Sequence, residues 1–225
     1  KVIEILETEE QVSMIISLLK PAIIPLIKDG NGNHVVQLCL QHLAPEISEF
    51  LFDEAIAHCV ELAKDCHGCC VLQKCLSHLT GQQRERLMSV ISSNALVLSQ
   101  DQFGNYVVQF LLGLKVPSAT EDILDRLKGN FVYLSVQKYS SHVVQRCLEF
   151  AREDHLIRII RELITDPRLL QILQDRFGNY VIQSAIEFCK GGLYAALEKA
   201  IRPHIPVMQS NPYGKKVLSR LSRKK

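Results

Sequence analysis

Five short clusters of side chains carry the chemistry this sequence can do: Asn33, His34 and Gln37; Cys69, Cys70 and Gln73; Asn105, Tyr106 and Gln109; Ser141, His142 and Gln145; Asn179, Tyr180 and Gln183. In each, the first residue and the glutamine stand four apart, one helical turn, and so share a face. The middle residue is turned about 100° from its predecessor and reaches toward whatever lies alongside. Four of the five middle residues are ring side chains, and in four of the five the glutamine sits beside an Asn or a Ser. An amide pair next to a flat ring suits an unstacked nucleobase, the ring stacking on it while the amides read its Watson–Crick edge. Such stacking is worth about 1–3 kcal/mol per base. Duplex DNA is a poor match, because its bases are already stacked and paired. A solvated polar face, or a surface that grips an extended peptide, would use the same residue types. Periodicity alone divides evenly between single-stranded RNA and a protein ligand.

The elements that must position these clusters follow from their spacing. The first members, with the equivalent Lys215, lie at intervals of 36, 36, 36, 38 and 36 residues. Four residues before each stand Asp29, Asp65, Asp101, Gln137, Asp175 and Asn211. Two before stand Asn31, His67, Phe103, Tyr139, Phe177 and Tyr213. Self-similarity on this scale marks a tandem array. Val35, Val36, Cys39, Leu40 and Leu43 form an apolar stripe of helical period in the first copy, repeated by Val71, Leu72, Cys75 and Leu76 and by Val107, Val108, Leu111 and Leu112. The Asp/Asn column supplies N-terminal caps. A second helix follows each cluster, as in "APEISEFLFDEAI" and "VPSATEDILDRL", and a short third one leads into the next. A unit of this size cannot bury its stripe alone, so its neighbours must stack on it. The expectation is an all-α, curved, right-handed α-solenoid with units at 22–57, 58–93, 94–129, 130–167 and 168–203. Residues 1–21 read as the tail of a preceding unit, "KVIEILET" matching "KCLSHLTG" at 74–81, and 204–225 as a closing segment.

Composition sets limits on other functions. Net charge is +2, with a basic end "SRLSRKK", so any polyanion would be held by local placement of charge and stacking rather than by a bulk field. No apolar run approaches the roughly 20 residues of a membrane span, and no membrane role is expected. The chain starts at Lys1 with nothing like a signal peptide. It reads as part of a longer polypeptide, and its eight cysteines as reduced thiols. "DCHGCC" at 65–70, near His58 and Cys59, has a C-x-x-C pair in Cys66 and Cys69. The repeat register accounts for it, however, and no second pair completes four ligands. Cys39, Cys75 and Cys147 share a column with Leu111 and Ala185, as small buried hydrophobes do. Neither metal nor cofactor is expected, and no nucleophile–base pair escapes the register, so no enzyme is expected either. Lys74 and Arg146, each directly after a cluster glutamine, are candidates for phosphate contacts, as are Lys215, Lys216 and Arg220 in the last unit.

The motifs "GNHVVQ", "GNYVVQ", "SSHVVQ" and "GNYVIQ" closely resemble those of the Pumilio (PUF) family of RNA-binding repeats, and "NPYGKKVLSRL" resembles that family's C-terminal capping unit. The resemblance spans essentially the whole chain and favours RNA. It implies three-helix repeats whose inner helix meets one base, with Asn and Gln reading uracil, and Cys or Ser with Gln reading adenine. It assigns base-edge roles to Asn33/Gln37, Cys69/Gln73, Asn105/Gln109, Ser141/Gln145 and Asn179/Gln183. Stacking falls to His34, Cys70, Tyr106, His142 and Tyr180. With the strand antiparallel to the protein, the implied site is 5′-UAUAU-3′. Two positions depart from the family's pattern. Gln145 stands where members requiring UGU carry Glu, and Cys70 replaces a ring or Arg. The resemblance further implies about three repeats upstream and a monomer acting on 3′ untranslated regions of messenger RNA. It would repress translation or promote decay through protein effectors on the convex face, in the cytoplasm, with nuclear or nucleolar relatives known.

Overall fold

The computed structural model describes residues 8–42 and 45–224. Most of the expected tail match at 1–8, and Leu43 of the first stripe, lie outside them. Among the described residues every regular element is helical, and no helix is long and apolar enough to cross a membrane.

The chain opens on α1 (Glu9–Leu19). Thr8 and Gln11 cap it reciprocally, each side chain accepting from the other's backbone N–H. A 3-10 turn at Lys20–Ala22 leads into a pattern of short, inner and outer helices. The first unit has α2 (Ile23–Lys28), α3 (Gly32–His42) and α4 (Pro45–Ala57); the second has α5 (Cys59–Ala63), α6 (Gly68–His78) and α7 (Gly81–Ser93). The third has α8 (Ala95–Gln100), α9 (Gly104–Gly113) and α10 (Pro117–Leu127); the fourth has α11 (Phe131–Ser135), α12 (Ser140–Phe150) and α13 (Glu153–Thr165). The fifth has α14 (Leu169–Gln174), α15 (Gly178–Phe188) and α16 (Gly191–Ile201). A second 3-10 turn, α17 (Ile205–Met208) and α18 (Pro212–Arg223) close the array.

The inner helices stack in sequence, α3 on α6, α6 on α9, α9 on α12, α12 on α15 and α15 on α18. Their apolar columns form the core. Val71, Val107, Val143 and Val181 are fully buried, as are Cys39, Cys75, Leu111, Cys147 and Ala185. Burying one such Val or Leu contributes about 1.5–3 kcal/mol, so the repeated columns hold the stack together. Val35 departs from the expected stripe and is exposed. Its counterparts sit between successive inner helices, whereas no inner helix precedes α3 among the described residues.

Each inner helix begins hard against the short helix before it. A Cβ on Gly104 would lie 2.8 Å from the Leu98 carbonyl oxygen, and one on Gly68 2.4 Å from that of Leu62. Only a residue without a side chain permits that approach. The fourth unit has Ser140 instead, whose hydroxyl donates to the equivalent carbonyl, Leu134, at 2.8 Å. The expected caps form at five of six positions. Asp29, Asp65, Asp101, Asp175 and Asn211 each accept two backbone N–H groups, from residues two and three further on, at 2.7–2.9 Å. Gln137, in the same column, caps nothing; its side chain reaches Gln100.

Candidate nucleic-acid interface

Stacking of the inner helices brings the five clusters to equivalent places on five adjoining helices. The middle residues His34, Cys70, Tyr106, His142 and Tyr180 are all exposed, Tyr106 to 56% and Tyr180 to 46%. The glutamines are half-buried. The first members differ from expectation. Asn33, Cys69, Asn105, Ser141 and Asn179 do not share the open face but are buried, none more than 4% exposed. They sit in the first turn, beneath the glutamine, where the carbonyls ending the short-helix connection need a donor.

That need fixes the asparagines. Asn33 Nδ2 donates to the carbonyls of Asp29 and Gly30, both at 2.9 Å, and its Oδ1 accepts from Gln37 Nε2 at 3.0 Å. Asn105 repeats this with Asp101, Gln102 and Gln109 at 2.8, 3.0 and 2.8 Å. Asn179 does so with Asp175, Arg176 and Gln183 at 2.9, 3.0 and 3.0 Å. Both amide hydrogens of each Asn are consumed within the protein. Its oxygen then clamps the glutamine, leaving Oε1 and one N–H of that glutamine to face outward at a fixed angle. The other two units are wired differently. Gln145 donates to the backbone carbonyl of Ser141 at 3.2 Å, and Ser141 bonds Lys138 at a long 3.5 Å. The Gln73 side-chain amide has no partner among the described residues, and the Cys69 thiol points to the Cys66 carbonyl. Three clamped glutamines thus alternate with two less constrained ones.

Around the row, the charged candidates divide. Lys216 lies 5.3 Å above the Tyr180 ring and 5.8 Å from that of Tyr213, extending the line of stacking positions with a cation. Lys74 and Lys215 have no carboxylate partner among the described residues. Arg146 is paired with Glu149 at 2.7 Å, and Arg220 with Glu187 on the preceding inner helix. Each guanidinium meets its carboxylate through one nitrogen and keeps further N–H donors. One feature escaped the sequence reading. A hollow of about 570 Å³ opens between α6 and α9, with Cys70, Gln73, Tyr106 and Gln109 along one side and Phe110 and Gly113 along another. Phe110 occupies the column of Lys74 and Arg146, so comparing columns for an outlying aromatic would have found it.

The buried cysteines are not poised for chemistry. Burial pushes the Cys39 thiol up to about 11 and those of Cys59 and Cys75 up to about 12. Cys69 also rises to about 12, from burial first and then from Cys70 beside it. Such thiols stay protonated and inert. Among the described residues, no group of three or more His, Cys, Asp or Glu side chains is placed to hold a metal.

The sequence pattern of the Pumilio-family RNA binding repeat matches residues 23–56, 58–92, 94–114, 130–164 and 168–193. The chain belongs to the Pumilio family. Pumilio homolog 12 of Arabidopsis thaliana is 56% identical over 225 residues, covering 100% of this chain and 38% of that protein. The chain therefore spans well under half the length of this Pumilio relative. Among solved structures, it is similar to the Puf4 RNA binding domain bound to the HO endonuclease RNA 3′ UTR recognition sequence. There the TM-score is 0.89 at 33% identity, over 97% of this chain and 70% of that one. PUF-8 in complex with PBE-RNA gives a TM-score of 0.85 at 30% identity, over 96% of this chain and 65% of that one. The third Pumilio repeat matches only as far as residue 114, leaving the outer helix α10 outside the family pattern.

Proposed function

We propose that this chain binds single-stranded RNA with sequence preference, one base to each inner helix. Successive bases would slot between the exposed rings of His34, Tyr106, His142 and Tyr180, with the glutamines meeting their Watson–Crick edges. The observation that carries this reading is the Asn–Gln clamp, built three times with donor–acceptor distances between 2.8 and 3.0 Å. A solvated polar face has no need of a buried asparagine whose amide hydrogens are spent on backbone carbonyls so that its oxygen is fixed to hold a neighbour.

The clamp also bears on which base. A glutamine locked in one sense offers an acceptor and a donor at fixed positions, which match the N3–H and an adjacent carbonyl of uracil. Adenine requires the reverse order along its edge, acceptor N1 beside donor N6–H₂. Gln73, unclamped, can turn over to meet it. Gln145, held only through a backbone carbonyl, is next in freedom. Alternation of clamped and less constrained units supports 5′-UAUAU-3′ as the preferred core. By analogy with the Puf4 complex, whose RNA is a 3′ UTR sequence, the ligands would be 3′ untranslated regions of messenger RNA. Recruited proteins would then repress translation or promote decay in the cytoplasm, and the chain would act as a monomer.

The test is fluorescence anisotropy with labelled RNAs containing UAUAU, UGUAU or only cytosine at the core, together with selection from a random pool. The expected outcome is a U/A-rich consensus, tightest binding to UAUAU, and weak binding to cytosine. Tyr106→Ala should weaken binding by about 1–3 kcal/mol while leaving the helical signal intact. Unselective or absent binding would overturn the proposal. Affinity should also fall only modestly with added salt, since bases rather than phosphates supply most of the contact.

A further inference from the structure

The outer layer is not uniform. Outer helices pack directly at α4/α7, α7/α10 and α13/α16. Between α10 and α13 they are parted by a cleft of two adjoining cavities, about 410 and about 180 Å³, which share Leu124 and His155. The larger is walled mainly by Pro117, Thr120, Leu124 and Phe150. The ion pairs Arg152–Glu121 and Arg158–Asp125 tie α13 to α10 across it. His155 lies at the bottom, 7% exposed, and its Nδ1 has no hydrogen-bond partner. Its Nε2 lies 3.8 Å from the Asp154 carboxylate, beyond hydrogen-bond length. A buried polar atom left unpaired is costly, and native structures rarely tolerate one without a ligand or water to satisfy it.

Three further observations single out this seam. Lys115 at its mouth has φ 56, the one positive φ outside glycine among the described residues. Strain of this kind collects at functional places. Lys115 has no carboxylate partner among the described residues either; its ammonium sits over the Phe150 ring at 5.8 Å. The family pattern for the third repeat stops at residue 114, just where the cleft begins.

We propose that the α10/α13 cleft is a docking site for a short segment of a partner protein. The segment carries a large apolar side chain with an acidic residue close by. The apolar side chain fills the space between Pro117, Leu124 and Phe150. A backbone or hydroxyl group beside it satisfies His155 Nδ1, and the carboxylate meets Lys115. Every other charge at the mouth of the larger cavity already has a partner: Arg152 with Glu121, and Glu149 with Arg146. The unspent positive charge of Lys115 therefore sets the sign of the ligand. The site lies between the outer helices and the C-terminal end of α12, at the opposite end of that inner helix from the exposed ring of His142, so it can be occupied while RNA is bound.

The test is to pan a displayed library of random dodecapeptides against the chain and follow the His155 ring by NMR as the enriched peptides are added. Expected are peptides with an apolar residue near an acidic one. Their binding should shift the His155 signals and weaken at least about tenfold in Lys115→Glu and in Thr120→Leu, which narrows the cleft. His155→Leu should keep or raise the melting temperature, since an unpaired polar atom is removed, yet weaken the same peptides. UAUAU RNA affinity should be unchanged in all three variants, which separates failure here from failure of the RNA reading. No enrichment would overturn the proposal. So would peptides indifferent to Lys115→Glu, benzoate or indole acetate filling the cleft without any peptide doing so, or dimerisation of the chain that Thr120→Leu abolishes.

Discussion

The third and fourth units stand side by side, α9 packed on α12, and their apolar positions correspond one for one. Val107 and Val143, Val108 and Val144, Leu111 and Cys147, Leu112 and Leu148 are all buried. Their polar wiring has little in common. The third unit has a capping Asp101, a bare Gly104, and an Asn105 that spends both amide hydrogens on carbonyls and holds Gln109. The fourth has a Gln137 that caps nothing, a Ser140 bonded to Leu134, and a Ser141 whose backbone, not side chain, holds the glutamine. Packing alone therefore suffices to place the helix and present the exposed ring. The polar residues above the core are free to differ from unit to unit, and that freedom is what lets a regular scaffold carry an irregular message.

The sharpest way to break the comparison is to remove the anchor from each unit. Asn105→Ala strips donors from two carbonyls and releases Gln109, and should cost about 1–3 kcal/mol of stability. Discrimination of uracil should be lost at one base only. Ser141→Ala removes a single long bond and should cost no more than about 0.5–1.5 kcal/mol. Urea unfolding of the two variants, with anisotropy on single-base RNA variants, measures both. Equal costs would mean that the clamp adds nothing to the packing. Next comes the junction with the short helix. Gly104→Ala drives a Cβ to 2.8 Å from the Leu98 carbonyl and should destabilise by about 1–3 kcal/mol. Ser140→Gly loses one hydrogen bond and should cost about 1 kcal/mol. Gln145→Glu changes the message and gives up only the 3.2 Å bond to the Ser141 carbonyl. Its melting temperature should hold while binding moves from UAUAU toward UGUAU, as the carboxylate accepts from guanine N1–H and N2–H₂. Unchanged binding to both RNAs would rule that out.

Much of this was legible in the sequence, for a physical reason. Equal intervals force equivalent residues to equivalent places, so Val107 and Val143 announce each other, and the exposed ring column can be read from Tyr106, His142 and Tyr180. Depth was not legible. Spacing four apart puts Asn105 and Gln109 on one face but says nothing of how closely the preceding short helix presses on that face. It is this closeness, visible at Gly104, that buries the asparagine and sets it to hold the glutamine. Pairing was equally hidden. Arg220 looked like a free cation until Glu187 was found beside it on the preceding helix. The α10/α13 cleft left no signal because Lys115 adopts a left-handed backbone without the glycine that usually marks one.

The smallest expected effect concerns acid. Asp29 is held below its ordinary carboxylate range by the backbone N–H groups of Gly32 and Asn31. Asp166, between α13 and α14, is drawn from 3.8 to about 2, chiefly by the Arg168 side chain and then by its N–H. In both, folding favours the ionised form. Their contribution is therefore present above the unfolded value near 3.8 and is lost as pH falls through the folded one. The two carboxylates differ in what holds them. Asp29 is gripped by its helix, whereas Asp166 is gripped chiefly by an exposed arginine whose charge salt can screen. Unfolding midpoints measured from pH 5 to pH 2 should fall less steeply in Asp166→Asn and in Asp29→Asn than in the parent. Added salt should flatten the Asp166 contribution and leave that of Asp29 in place. A Gln137→Asp variant carries the comparison back to the fourth unit. Taking up the cap that the third unit already has, it should stabilise the chain at pH 7 by about 0.5–2 kcal/mol in urea unfolding; an unchanged midpoint would mean that Ser140 has altered the junction too far for an Asp to reach the two N–H groups.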